Sequence, residues 1–152
     1  DQVPCELVTE YVKRWAWRGE RIGTFDDVYI TAKQLRAESS LYGKVQVIVT
    51  DSPIGLGAVY EQIYRPTRQT MALLCASIRA RQLAEGIKIL DLYVVRSKPY
   101  VQAGRYEDEE KARQVDQVAL RYVQGLGDVT GVRDVAEALE WVQKALKESD
   151  NA

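Results

Sequence analysis

Val45-Gln-Val-Ile-Val-Thr50 narrows the folds open to this chain more than any other segment. It is short, rich in β-branched residues and apolar on both faces. That pattern fits a central parallel strand covered by helices on either side. It ends by delivering Asp51-Ser-Pro at its carboxyl end, and glycines Gly55 and Gly57 follow. A parallel strand needs a crossover connection, so the segments around it should read as helices.

They do. Cys5–Thr9 is strand-like, with Pro4 before it, and Glu10–Arg18 reads as a helical turn stopped by Gly19. Thr24 or Asp26 is placed to cap a helix running to about Tyr42, with Phe25, Val28, Ala32 and Leu35 on its apolar face and Gly43 at its end. Leu56, Val59, Tyr60 and Ile63 have helical spacing up to Pro66. Thr67 is placed to cap a longer helix to about Glu85, with Met71, Leu74, Cys75 and Ile78 inward. Ile87–Val95 reads as a strand. A helix from Glu107 to about Gln124 follows, with Val115, Ala119, Tyr122 and Val123 inward and an acidic first turn that suits the helix dipole. Asp128–Thr130 reads as a brief strand. A last helix runs from about Asp134 to Lys147, with Val135, Leu139, Val142 and Leu146 on its core face.

Strands alternating with helices predict an α/β protein. The expected form is a three-layer α/β/α arrangement with a mostly parallel sheet, in one domain over residues 1–152. Ligands of such sheets sit outside the carboxyl ends of the strands. Glu10, Asp51 and the polar loop from Arg96 to Arg105 are all expected at those ends.

Composition then limits the chemistry. The chain has no histidine, which removes histidine-based nucleophile activation and histidine metal ligation. Cys5 and Cys75 are distant in sequence and read as small buried apolar residues in a reducing, cytoplasmic setting. The net charge of −1 provides no basic field for nucleic acid. No apolar run approaches a membrane span. What remains are carboxylates, arginines, lysines, tyrosines and hydroxyls.

These residues suit phosphoryl transfer, which depends on positioning and positive charge more than on covalent chemistry. Asp51, ending the most apolar strand, is placed to hold magnesium through water or to orient a substrate hydroxyl. Its competing reading is an Asx turn over Ser52-Pro53. Glu10 has the same placement, with a first-turn helix acid as the alternative. Tyr11, Arg14 and Trp15 are candidates to line a substrate pocket, or else core. Arg96, Lys98 and Arg105 are candidates to grip phosphate oxygens from a lid at about 96–110, or else to pair with the acidic block at 107–110. Gly131 lies in a Val129-Thr-Gly131 turn able to present backbone groups to a base, or in an ordinary glycine turn. Tyr60, Tyr64, Arg65 and Arg68 fall where a second, helical lid would form.

Taken in order, these motifs resemble the P-loop kinases of the nicotinamide-riboside-kinase and phage deoxynucleotide-kinase type. The matching segments are Glu10-Tyr-Val-Lys-Arg-Trp15, Thr50-Asp-Ser-Pro53, Pro99-Tyr-Val-Gln-Ala-Gly-Arg105 and Val129-Thr-Gly131. The resemblance implies ATP- and Mg2+-dependent phosphorylation of a nucleoside or (deoxy)nucleoside monophosphate. It implies that Asp51 and Glu10 contact substrate hydroxyls or the hydrated metal, that Arg96 and Arg105 act from the lid, and that Gly131 lies near adenine. The family's G-x-x-x-x-G-K-[ST] phosphate loop has no counterpart in these residues, and Gly55-Leu-Gly57 is too short to be one. A P-loop-type fold lacking its first βα unit is therefore expected, with the Cys5–Thr9 and Val45–Thr50 strands flanking the place of the missing strand. A catalytically degenerate nucleotide-binding or protein-interaction module is the rival reading. Homo-oligomerisation stays open.

Overall fold

The computed structural model describes residues 3–127 and 130–150. It is a mixed α/β protein. In chain order the elements are β1 (Cys5–Val8), α1 (Lys13–Arg18), α2 (Asp26–Ser39), β2 (Val47–Thr50), α3 (Leu56–Tyr64), α4 (Thr70–Ala84), β3 (Leu92–Val94), α5 (Glu109–Gly125), β4 (Thr130–Val132) and α6 (Val135–Asp150).

The strands pair in parallel, as the apolar runs required, but they form two separate two-stranded sheets rather than one. β1 lies directly against β2, with Val8 opposite Thr50, and β3 lies against β4, with Val94 opposite Val132. The expectation that the first two strands flank an intervening one is thus corrected: they are hydrogen-bonded neighbours. β2 is also not covered on both faces. Leu7 and Val49 are register partners, and they are 62% and 46% exposed. Of the strand read over Ile87–Val95, the described ladder covers Leu92–Val94, paired with Thr130–Val132. Of the brief strand read over Asp128–Thr130, residues 128 and 129 lie outside the described residues, and Thr130 opens β4 as described, which runs on to Val132.

The core sits between α3 and α4. Ile54, Ala58, Met71 and Cys75 form it, with Leu35, Leu74, Ile78 and Tyr122 packed around them. The glycines of Gly55-Leu-Gly57 serve this packing. A Cβ at Gly55 would come within 2.6 Å of the Tyr122 ring, and one at Gly57 within 2.9 Å of Met71 and of Thr31. Cys75 is buried as read, but Cys5 is exposed.

Helix starts depart from the sequence reading in an informative way. Thr67 does not cap α4, which begins at Thr70. The cap comes instead from α3: the buried Glu61 carboxylate accepts the N–H groups of Met71 at 2.8 Å and Ala72 at 3.2 Å. A carboxylate at a helix N-terminus satisfies free donors and meets the positive end of the dipole. Asp26 lies inside the first turn of α2 and accepts the N–H of Gly23 at 2.6 Å. Asp108 caps α5.

Of the apolar stripe expected to face inward on α2, Leu35 packs against the core, but the rest of the stripe does not. Phe25, Val28 and Ala32 are exposed, whereas Thr31, Gln34 and Glu38 are buried. The helix lies across the exits of β1 and β2, where the groups to be met are polar. α6 likewise leaves Val135 and Leu139 exposed, against expectation.

Candidate functional site

β1 and β2 run side by side and in the same direction, so their exits lie together. Glu10 leaves the first and Asp51 the second. Glu10 is partly buried, and its carboxyl is held above the ordinary carboxylate value by that burial and then by the nearby Asp51 charge. Lys13 and Arg105 oppose the shift, and Glu107 reinforces it. The arrangement is a pair of carboxylates flanked by two cations from different elements. Two like charges at one exit favour a proton on Glu10, or a cation beside it.

The phenol of Tyr60, on α3, faces the same cluster. Its proton is held far more tightly than usual, first by burial and then by Glu107 and Glu10. Tyr60 stacks on Tyr64, whose hydroxyl donates to Glu107 at 3.2 Å.

Arg105 arrives from the loop between β3 and α5. That loop is built by local hydrogen bonds. The Tyr100 hydroxyl donates to the Glu107 carbonyl. The Gln102 amide donates to the same carbonyl at 3.0 Å, and Arg105 N–H donates to the Gln102 carbonyl at 3.1 Å. Gly104 has φ +72°, and a Cβ there would stand 2.6 Å from the Trp17 ring, so the loop backbone touches α1 at that point. Tyr106 donates to the Glu20 carbonyl at 2.6 Å and pins the loop's far side. Arg105 itself makes no ion pair among the described residues; its guanidinium sits over the Tyr100 ring at 5.7 Å. It therefore keeps its donors available while lying near Glu10.

The remaining candidates are placed differently. Arg96 forms a two-pronged pair with Asp116, with Nε and Nη2 at 2.8 and 3.0 Å from its oxygens. Lys98 is exposed and lines an open groove of about 410 Å³ with Arg96, Tyr100 and Arg113. Tyr11 belongs to an aromatic group with Trp15 and Tyr29, its hydroxyl 3.2 Å from that of Tyr29, and Arg14 lies 5.6 Å over its ring. Gly131 is on β4 beside Tyr93, with open space where a side chain would be. Arg65 is held by Asp27 at 3.3 Å and by the Gly23 carbonyl. The structure thus joins Glu10, Asp51 and Arg105, and it adds Lys13, Tyr60 and Glu107. Gly131 stands on the other strand pair, and Arg96 and Lys98 lie at the start of the loop that leaves it.

Among the described residues no group of three or more Cys, Asp or Glu side chains is arranged to hold a metal ion. Asp51 is exposed, which suits a hydrated magnesium ion held mainly by water and by ligand phosphates, the usual protein mode for that ion. No described helix is long and apolar enough to cross a membrane. Comparisons with family models, curated proteins and solved structures find no match to this chain.

Proposed function

We propose that this chain forms the acceptor side and lid of an ATP- and Mg2+-dependent kinase for a nucleoside or (deoxy)nucleoside monophosphate, with a three-layer P-loop-type fold as its complete form. The observation that carries the reading is the meeting of Glu10, Asp51 and Arg105 at the exits of a parallel strand pair under a pinned loop. The division of the strands into two parallel pairs not hydrogen-bonded to each other supports it too, since a sheet lacking a middle strand would divide in that way.

Magnesium–ATP would supply the phosphoryl group and neutralise charge on its oxygens. The chain's residues fit part of that ligand. Asp51 suits the hydrated ion, whereas no glycine-rich cradle for the β- and γ-phosphates exists in these residues. With a nucleoside acceptor, Glu10 and Asp51 hold and orient the hydroxyl and Asp51 receives its proton. A monophosphate acceptor attacks through an ionised phosphate oxygen, and the two carboxylates then hold its sugar hydroxyls. Glu10, already reluctant to ionise, is a strong hydrogen-bond acceptor when it does. Arg105 offers a forked set of donors to the transferring group. The missing cradle favours one rival: a non-catalytic module that binds a nucleotide at the same exits.

A thermal-shift panel of nucleosides and nucleoside monophosphates, with and without magnesium–ATP, tests the proposal. One ligand class should raise Tm by mass action, and Asp51→Asn should abolish the rise. A panel in which no nucleoside or monophosphate moves Tm refutes it. Binding without turnover in a complete protein selects the rival.

A further inference from the structure

We infer that Gln34 is a positioning residue that sets the separation of Glu10 and Asp51 by tying together the two chain segments that carry them. The inference deepens the acceptor-site reading above and rests on it. Gln34 lies mid-way along α2 and is only 4% exposed. Its side-chain carbonyl accepts the N–H of Tyr11, the residue after Glu10, at 3.3 Å. Its amide nitrogen donates to Thr50 Oγ1, the residue before Asp51, at 3.1 Å and to Glu38 Oε1 at 3.4 Å. Thr50 Oγ1 also accepts the N–H of Ser52 at 3.2 Å, so Asp51 is bracketed on both sides.

Only one amide orientation satisfies this set. Reversed, the NH2 group would face the Tyr11 N–H donor, and the carbonyl would face the Glu38 carboxylate. Both amide hydrogens and the carbonyl are used, so the group is locked by its partners rather than by packing alone. Its place along the strands matters as much. The β1–β2 register ends at Val8 opposite Thr50. Past that pair the strands separate into loops, and it is there that Glu10 and Asp51 stand. Gln34 bridges the two exits where the ladder stops. A residue that only filled the α2 interface would have no need of partners flanking both carboxylates.

Three variants test the assignment, with the acceptor kinetics of the complete enzyme and crystal structures as the measurements. Gln34→Met keeps the volume and removes every hydrogen bond. It should lower kcat roughly 10- to 100-fold while leaving KM within about twofold, the pattern of a misplaced reacting geometry. Thr50→Val removes only the arm toward Asp51 and should show a smaller kcat loss of the same kind. Glu38→Gln keeps an acceptor on the arm that points away from both carboxylates and should leave kcat within about twofold. Folded Gln34→Met with wild-type kcat overturns the assignment. Should that variant fail to fold, an unchanged kcat in Thr50→Val overturns it instead. If wild type phosphorylates no nucleoside or monophosphate, the kinase reading falls, and the structures still decide the tether: Glu10 and Asp51 moved apart in Gln34→Met or Thr50→Val supports it, and unmoved carboxylates in a folded variant refute it.

Discussion

Both parallel strand pairs hand the chain to a polar segment at their carboxyl ends, and both segments carry an arginine or its counterpart carboxylates. At β1–β2 the charges of Glu10 and Asp51 meet no ion-pair partner within 4 Å among the described residues, and Arg105 on the pinned loop lies near Glu10. At β3–β4 the same loop begins with Arg96, which Asp116 on α5 already holds by two hydrogen bonds. One cation is a strut and the other is available. The difference lies in the partners that α5 brings, since nothing in the residue type separates Arg96 from Arg105. A guanidinium fixed by a carboxylate of the scaffold aligns a loop. One left over an aromatic ring can grip a ligand.

The sharpest break of this comparison is to remove each arginine in turn. Arg105→Ala in a complete, active protein should lower kcat by about 10²- to 10³-fold, as for other preorganised charge contacts to a transferring group. Steady-state kinetics read this directly, and an unaltered kcat would dissolve the distinction between the two loops. Next in size is the α3–α4 joint that supports the carboxylate exits. Glu61→Ala leaves the Met71 and Ala72 N–H groups without their acceptor in a buried place, and should cost about 2 kcal/mol in chemical denaturation.

The loop's seat can be tested with Gly104→Ala. The new methyl group meets the Trp17 ring at 2.6 Å, and the left-handed backbone disfavours it. A stability loss of about 1–2 kcal/mol is expected, with a rise in proteolytic nicking at residues 96–108. Arg96→Ala should do less. Its pair with Asp116 is about one-third exposed on each side, so the loss should stay below about 1 kcal/mol, and the kinetic effect should be far smaller than that of Arg105→Ala.

The smallest effect belongs to Glu38. Burial raises its carboxyl above 4.5, and the Gln34 hydrogen bond only partly offsets this. A raised carboxylate makes the folded state bind its proton more tightly than the unfolded chain does. Stability from this group is therefore fully present at low pH and lost as pH rises through the raised value. Glu38→Gln should thus have a higher Tm than wild type at pH 7, and the gap should close as the pH falls toward 4.5. A gap that widens on acidification would contradict the buried-acid assignment.

Much of this was readable from residue order. The strands near Cys5–Val8 and Val47–Thr50, their parallel sense, the inward set Met71, Leu74, Cys75 and Ile78, and the exit positions of Glu10 and Asp51 follow from apolar runs and helical spacing. The apolar residues of α2 point to the wrong face, because of Phe25, Val28, Ala32 and Leu35 only Leu35 packs inward. Thr31, Gln34 and Glu38 carry the helical spacing just as clearly, at intervals of three and four, and a polar stripe of that period was the signal for a helix laid over polar strand ends. The capping of α4 was illegible for another reason: Glu61 lies in α3, ten residues before Met71, whose N–H it accepts, beyond the reach of any local capping pattern.

Local order along the chain therefore determined the type of each element and the strand ends from which Glu10 and Asp51 emerge, because periodicity and turn residues act over a few positions. Only the tertiary structure decided which charges stay available, since that depends on groups far apart in sequence. Asp116 lies 20 residues from Arg96, and Gln34 lies 23 from Tyr11 and 16 from Thr50. A side chain's chemistry is set by the partner that reaches it first, and in this chain the partners arrive from other helices.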